Sequence, residues 1–100
     1  MSNAFQTMIN EDKPTLVDFY AEWCGPCKYM KPILEDLKSK IGDQAKIVKV
    51  DVDRNTQIAQ SLRIQGVPTL ILFRNGKIMW RQSGVVSSAE LQKVIQLHLN

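Results

Sequence analysis

The chain has 100 residues, 44% of them hydrophobic, a size that suits one globular domain with its own core, so we expect residues 1–100 to form a single domain. Its formal net charge is +3, but the 13 Lys and Arg residues are dispersed among 10 acids, so the basic face that nucleic-acid binding requires is not expected. The apolar segments are short and interrupted by charges, which argues against a membrane span or a signal peptide and predicts a soluble, cytoplasmic protein.

The first half of the chain reads as helix, strand and helix. Apolar residues recur at helical spacing between positions 5 and 9. A β-branched and aromatic run over residues 15–21 predicts a buried strand. Apolar residues from 30 to 41 again recur at helical spacing and are followed by Gly42, which predicts an amphipathic helix that starts at the cysteines and ends at a glycine cap. Pro32 would lie inside this helix and kink it.

The second half predicts three strands and two helices. Residues 46–52 form the second strand, and the strand-helix-strand order implies a right-handed crossover with the two strands parallel. A short helix follows near residues 58–62. Segments 69–73 and 77–81 flank an Asn-Gly pair, a strong signal for an antiparallel hairpin. A capping box at residues 87–90 begins the last helix.

The two cysteines of the chain, Cys24 and Cys27, are separated by two residues. A disulfide across so short a loop stabilises a fold by only roughly 2 kcal/mol, so the pair suits a redox switch better than a clamp. Structural zinc is the main alternative, but it needs about four ligands, and only His98 remains as a conventional partner. Because Cys24 stands where a strand ends and a helix begins, its sulfur should face free backbone N–H groups, which favour the thiolate.

Asp18 is a carboxylate in the middle of the apolar run 15–21. Desolvation should therefore disfavour its charged form. A buried carboxylate of this kind can relay protons. A structural carboxylate paired with a neighbouring cation is the alternative, and the residues alone leave both open.

At the cysteines the chain resembles the thioredoxin family. Residues 23–27 read Trp-Cys-Gly-Pro-Cys, the family's active-site motif, and segments 17–19, 31–34 and 66–69 match further family motifs in order and spacing. The resemblance implies a thioredoxin-like α/β fold, a three-layer sandwich in which a central mixed sheet of about four strands is flanked by about four helices.

The expected sheet has one strand fewer than the family usually has. A family strand normally precedes the first helix, but the residues before Thr15 are helical in pattern, so that strand is predicted to be absent. It would have covered residues 46–52, which are therefore expected to form an edge. An unpaired edge invites self-association, and we expect Lys46, Lys49 and Asp51 to protect it and the protein to be a monomer.

The resemblance implies a two-step mechanism. The Cys24 thiolate would attack a substrate disulfide, and Cys27 would resolve the mixed disulfide. Asp18 would exchange a proton with Cys27 through water, and Lys49 would lie beside Asp18 on the neighbouring strand as part of the catalytic set. This predicts a general protein disulfide reductase that serves electron transport and cell redox homeostasis.

The resemblance also implies a shallow substrate-binding rim. The Val67–Pro68 bond would be cis, with the Val67 backbone free to pair with an extended substrate segment; a rigid turn without substrate contact is the alternative. Tyr20 stands where many thioredoxins have Trp and is expected to tune reactivity. The predicted substrate-binding residues are Trp23, Gly25, Pro26, Gly66, Val67, Pro68, Gly84 and Val85.

No metal or bound cofactor is expected, because the Cys24–Cys27 disulfide carries the electrons. The expected partners are disulfide-containing protein substrates and a separate NADPH-dependent flavoprotein, a thioredoxin reductase, with no nucleic acid and no membrane.

Two alternative functions stay open: a protein-binding subunit whose redox chemistry is incidental, and a disulfide isomerase or oxidant. The Gly-Pro pair between the cysteines is similar to the reducing members, whereas the oxidising and isomerising relatives commonly carry His before the second cysteine.

Overall fold

The computed structural model describes residues 3–99. Their helices and strands are, in chain order, α1 (Asn3–Ile9), β1 (Thr15–Tyr20), α2 (Met30–Ile41), β2 (Lys46–Asp51), α3 (Thr56–Ser61), β3 (Thr69–Arg74), β4 (Lys77–Ser83) and α4 (Ser88–Leu97). Two 3₁₀ turns, Pro26–Tyr29 and Gly42–Gln44, lie directly before and after α2. The expected fold, a mixed sheet of four strands flanked by four helices, is confirmed.

The strands are arranged in the order β2-β1-β3-β4. Strand β1 pairs in parallel with β2 and antiparallel with β3, which in turn pairs antiparallel with β4. Helix α2 is the crossover that a parallel pair requires. The β3–β4 turn contains Asn75 and Gly76 with φ values of 53° and 77°, the left-handed conformation for which Asn-Gly is favoured in hairpins.

Each face of the sheet carries its own core. Helices α2 and α4 pack against Leu16, Leu70 and Leu72, while α1 and α3 pack against the intervening residues of the same strands. On the α1 side the ring of Phe5 meets that of Phe73 edge to face, with 5.7 Å between centroids. Because side chains alternate along a strand, β1 residues two apart share a face. Residue 18 therefore lies on the same face as Leu16, beneath α2.

Local signals explain most element boundaries. The hydroxyl of Ser87 accepts a hydrogen bond from the Glu90 N–H at 3.2 Å and begins α4 as the capping box predicted. Gly42 ends α2 with φ of 56°. The helix predicted to start at the cysteines is divided, with a 3₁₀ turn before Met30. Pro32 therefore lies in the first turn of α2, where a missing N–H costs little, and not in the helix interior.

Strand β2 is an edge of the sheet formed by the described residues, and α1 precedes β1 without an earlier strand in the 3–99 range. Lys46 places a charged side chain on this edge, and its ammonium group pairs with the Glu11 carboxylate at 2.7 Å. The expectation that Asp51 protects the edge is wrong. Its side chain is buried, and its carboxylate accepts the N–H of Asp53 at 2.9 Å, so it stabilises the turn that follows β2.

Candidate active site

The cysteines lie just beyond the C-terminal end of β1. Cys24 and Cys27 are joined by a disulfide, with their Cα atoms 5.4 Å apart. The backbone N–H of Cys27 donates to the sulfur of Cys24 at 3.2 Å. An N–H directed at a sulfur in the first turn of a helical segment stabilises negative charge on that sulfur. The two residues are only 3% and 7% exposed, so accessibility does not distinguish their sulfurs, whereas this N–H contacts the sulfur of Cys24.

A loop before β3 lies directly beside Cys24. The Cys24 sulfur is 3.5 Å from the carbonyl oxygen of Val67, and the Val67–Pro68 peptide bond is cis. Trp23, Gly66 and Val67 help to line a cavity of about 110 Å³ at this point. The structure thus brings together four of the predicted rim residues next to the cysteines.

The remaining predicted rim residues surround the same loop and the first helical turn. The Gly84 N–H donates to the Pro68 carbonyl at 2.8 Å, which ties the β4–α4 connection to the cis bond, and Val85 beside it is exposed. Pro26 opens the 3₁₀ turn. A Cβ added to Gly25 would meet no atom within 4 Å. The free protein therefore has room for a side chain at Gly25, and any need for glycine there would come from an approaching partner.

Trp23 is held at the rim by Asp53, a residue that no sequence motif marked as functional. Its indole is 73% exposed, and its Nε1–H donates to the Asp53 carboxylate at 2.9 Å. Trp23 follows β1 and Asp53 follows β2. Because these strands are parallel, their C-terminal ends meet at one edge of the sheet, which is the signal that could have placed Asp53 near the cysteines.

Asp18 is fully buried. Neither of its carboxylate oxygens has a hydrogen-bond partner within the described part of the chain. Burial raises the pKa of Asp18 to about 6, and the positive charge of Lys49 acts in the opposite direction. A carboxylate with this pKa exchanges protons near neutral pH.

Lys49 lies where the family pattern implied, directly opposite Asp18 in the β1–β2 register. Its ammonium group is nevertheless 4.6 Å from the centre of the Tyr20 ring, a geometry that gives a cation–π attraction. The Lys49 ammonium therefore makes no hydrogen bond to the Asp18 carboxylate, which the alternative of a structural ion pair between them would require.

Other site classes find no support among residues 3–99. No group of three or more His, Cys, Asp or Glu side chains is arranged there to hold a metal ion. His98 lies at the end of α4, where its Nδ1 is 2.9 Å from the Val94 carbonyl oxygen. Over the same residues, no helix combines the length and apolar character that crossing a membrane would take.

Comparison with known proteins agrees with this geometry. A family model described as Thioredoxin matches residues 1–97. The chain is 46% identical over 95 residues to thioredoxin Y, chloroplastic, of Oryza sativa subsp. japonica, covering 94% of this chain and 56% of that protein. It is 39% identical over 98 residues to the thioredoxin of Acidithiobacillus ferridurans, covering 97% of this chain and 91% of that protein.

A comparison with solved structures also finds a thioredoxin. The thioredoxin of Malassezia sympodialis superposes with a TM-score of 0.85 at 37% identity, over 96% of this chain and 84% of that chain. The chain thus spans most of the bacterial and fungal proteins, but little more than half of the chloroplastic one.

Proposed function

The chain belongs to the thioredoxin family, and we propose that it is a general protein disulfide reductase, with residues 1–100 acting as one domain. The observation that carries this proposal is the Cys24–Cys27 pair, in which the Cys27 N–H is directed at the Cys24 sulfur at 3.2 Å. The same pair lies beside the Val67 carbonyl. Family membership supports thiol–disulfide exchange, and the Gly-Pro pair between the cysteines favours the reducing direction.

The first step is attack by reduced Cys24. Its thiolate forms a bond to one sulfur of a substrate disulfide, the substrate's S–S bond breaks, and the second substrate sulfur leaves as a thiolate that takes up a proton. The N–H of Cys27 stabilises the attacking thiolate. The product of this step is a mixed disulfide between Cys24 and the substrate.

The second step releases the substrate. Cys27 transfers its proton through water to the Asp18 carboxylate and attacks the Cys24 sulfur, so that the Cys24–Cys27 disulfide forms and the substrate sulfur leaves. Two electrons pass from the dithiol to the substrate. A pKa of about 6 leaves Asp18 largely ionised at neutral pH, and its oxygens lack other partners among residues 3–99, which makes it available as the acceptor.

Substrate contact is proposed to be mostly with the backbone. An extended segment would pair with the main chain of Val67, while exposed Trp23 and Val85 contribute apolar surface. Gly25, Pro26, Gly66, Pro68 and Gly84 complete the proposed rim. Contacts of this kind discriminate little between substrate sequences, which suits a general reductase.

The protein would act as a cytoplasmic monomer that receives electrons from an NADPH-dependent flavoprotein thioredoxin reductase. In that setting it would contribute to electron transport and cell redox homeostasis. The rice relative is chloroplastic by name, so relatives differ in compartment.

Reduction of insulin disulfides by the protein, with dithiothreitol as the electron source, tests the proposal. The wild type should accelerate the reaction, Cys24→Ser should abolish it, and Cys27→Ser should accumulate the mixed disulfide. A wild-type protein that does not accelerate insulin reduction, or a Cys24→Ser variant that keeps its full activity in cells, would favour the binding-subunit alternative. A Cys24–Cys27 reduction potential as oxidising as that of protein disulfide isomerase, about −180 mV, would favour the isomerase alternative.

A further inference from the structure

The outer edge of β2 presents backbone groups that point away from the sheet. The N–H of Lys46 donates to the carbonyl of Pro14, just before β1, and the N–H of Val52 donates to the carbonyl of Tyr20 in β1, each at 2.9 Å. Successive residues of a strand direct their backbone groups to opposite sides, so those of Ile47 and Lys49 point outward. Since β2 is an edge among residues 3–99, these groups can pair with an added strand.

A groove lies between this edge and α2. It has a volume of about 470 Å³, and its apolar residues are Leu34 of α2 and Ile47 of β2. The α2 residues that line it recur at helical spacing, so they form one stripe along the helix. The full lining is Lys31, Leu34, Glu35, Lys38, Ile47 and Lys49.

The rim of the groove is basic. Three of its four charged residues are lysines, and only Glu35 is acidic. Lys38 is already bonded to the Gly42 carbonyl at 2.9 Å and lies 3.6 Å from the Asp43 carboxylate, and Lys49 lies over the Tyr20 ring. Lys31 is exposed on the stripe, and it is therefore the lysine that carries most of the argument for an acidic partner. Within residues 3–99, the groove therefore combines an unpaired strand edge, an apolar floor and positive charge.

We propose that an extended, acidic segment of a partner protein adds to β2 as a further strand. Its backbone would bond to the outward groups of Ile47 and Lys49, one apolar side chain would enter the groove, and carboxylates two residues to either side would face the lysines. Backbone pairing supplies affinity in this mode of recognition, and the side chains supply specificity. The groove shares Lys49 with the proposed catalytic set, but neither cysteine lines it.

Charge favours such a partner over a second copy of this chain. Pairing two β2 edges about a two-fold axis would place two basic rims in one interface, where like charges within roughly 10 Å repel each other. An acidic strand would instead neutralise the lysines of the groove. Because a second copy is the competing occupant, the oligomeric state of the protein is one readout of the test.

The test uses the oxidised protein and a synthetic peptide, Thr-Glu-Thr-Leu-Thr-Glu-Thr, whose Leu and Glu side chains share one face of a strand. Amide chemical shifts should change at Ile47 and Lys49 on titration. A peptide with Lys in place of Glu, and one with methylated backbone nitrogens at Leu and at the Thr that follows it, which covers both strand orientations, should bind at least fivefold more weakly. Weaker binding of the Lys peptide would show that the charges contribute to affinity, and weaker binding of the methylated peptide would show that the backbone hydrogen bonds do.

Two protein variants give the matched comparison. Lys31→Glu reverses a charge at the groove and should weaken binding about fivefold. Lys77→Glu makes the same change on β4, at the opposite edge of the sheet, and should alter binding less than twofold. Equal losses in the two variants, shift changes confined to the cysteine rim, absence of binding at millimolar peptide, or dimerisation through β2 without peptide would each overturn the proposal.

Discussion

Asp18 and Lys49 stand opposite each other on neighbouring strands, yet the Lys49 ammonium lies over the Tyr20 ring and not on the carboxylate. The distance from Nζ to the ring centre is 4.6 Å, while both Asp18 oxygens lack a hydrogen-bond partner in the part of the chain that the structure describes. The attraction of Lys49 for Asp18 is therefore only partial. It is too weak to offset desolvation, and the pKa of Asp18 stays raised at about 6.

Replacing Asp18 by Asn should stabilise the oxidised protein above pH 6. In the unfolded chain this carboxyl ionises near pH 3.8, whereas in the folded protein it keeps its proton to about pH 6. The unfolded state therefore binds fewer protons between these values, and the free energy of unfolding of the wild type falls as the pH rises through them. The loss amounts to about 3 kcal/mol for a shift of this size.

Denaturant unfolding at pH 4, 6 and 8 would measure this effect. Asp18→Asn should match the wild type near pH 4 and exceed it at pH 8. Asp36→Asn is the control, because Asp36 is exposed and its pKa is lowered, chiefly by a hydrogen bond from Ser88 and also by Lys40. An Asp18→Asn protein whose stability difference is independent of pH would contradict the assignment of a raised pKa.

Tyr20 should influence the pKa of Asp18 through Lys49. Tyr20→Leu removes the ring, so the Lys49 ammonium is free to approach the carboxylate, and the pKa of Asp18 should fall by about half a unit or more, given cation–π energies of about 0.5–2 kcal/mol. Tyr20→Phe keeps the ring face and should leave the pKa near that of the wild type. NMR titration of the Asp18 carboxyl carbon would measure this pKa in the wild type and in both variants. Identical pKa values in the Tyr20→Leu and Tyr20→Phe proteins would exclude an influence of the ring on Asp18.

Much of the scaffold was predictable from the sequence because its signals are local. The Asn75-Gly76 turn, the Ser87 cap and the largely apolar runs that form β1 and β3 each specify backbone geometry within a few residues. The direction of the Lys49 side chain was not predictable, because it depends on competition between an aromatic face and a buried carboxylate in three dimensions. The hydrogen bond from the Asp53 N–H to Asp51 was not predictable for a similar reason, since a carboxylate that ends an edge strand can face solvent or fold back onto the next turn.

Asp18→Asn should also slow the resolution of the mixed disulfide if Asp18 accepts the proton of Cys27. General-base assistance typically contributes about 10²–10⁴-fold, and a relay through water should contribute at the lower end. Stopped-flow measurement of Cys24–Cys27 disulfide formation should show the largest deficit near pH 7. The deficit should narrow at alkaline pH, where Cys27 ionises without assistance. A deficit of constant size across pH would assign Asp18 a purely structural influence.

The hydrogen bond from Trp23 to Asp53 should fix the indole for substrate contact. The Trp23 ring is 73% exposed and its Nε1–H donates to Asp53 at 2.9 Å, so loss of the acceptor should free the ring with little change in stability. Asp53→Ala should raise the KM for insulin reduction about threefold and leave kcat unchanged, since an interaction equal in ground and transition states affects only KM. Asp53→Asn keeps an acceptor oxygen and should stay close to the wild type. If Asp53→Ala lowered kcat and left KM alone, the contact would instead act on the exchange step at Cys24.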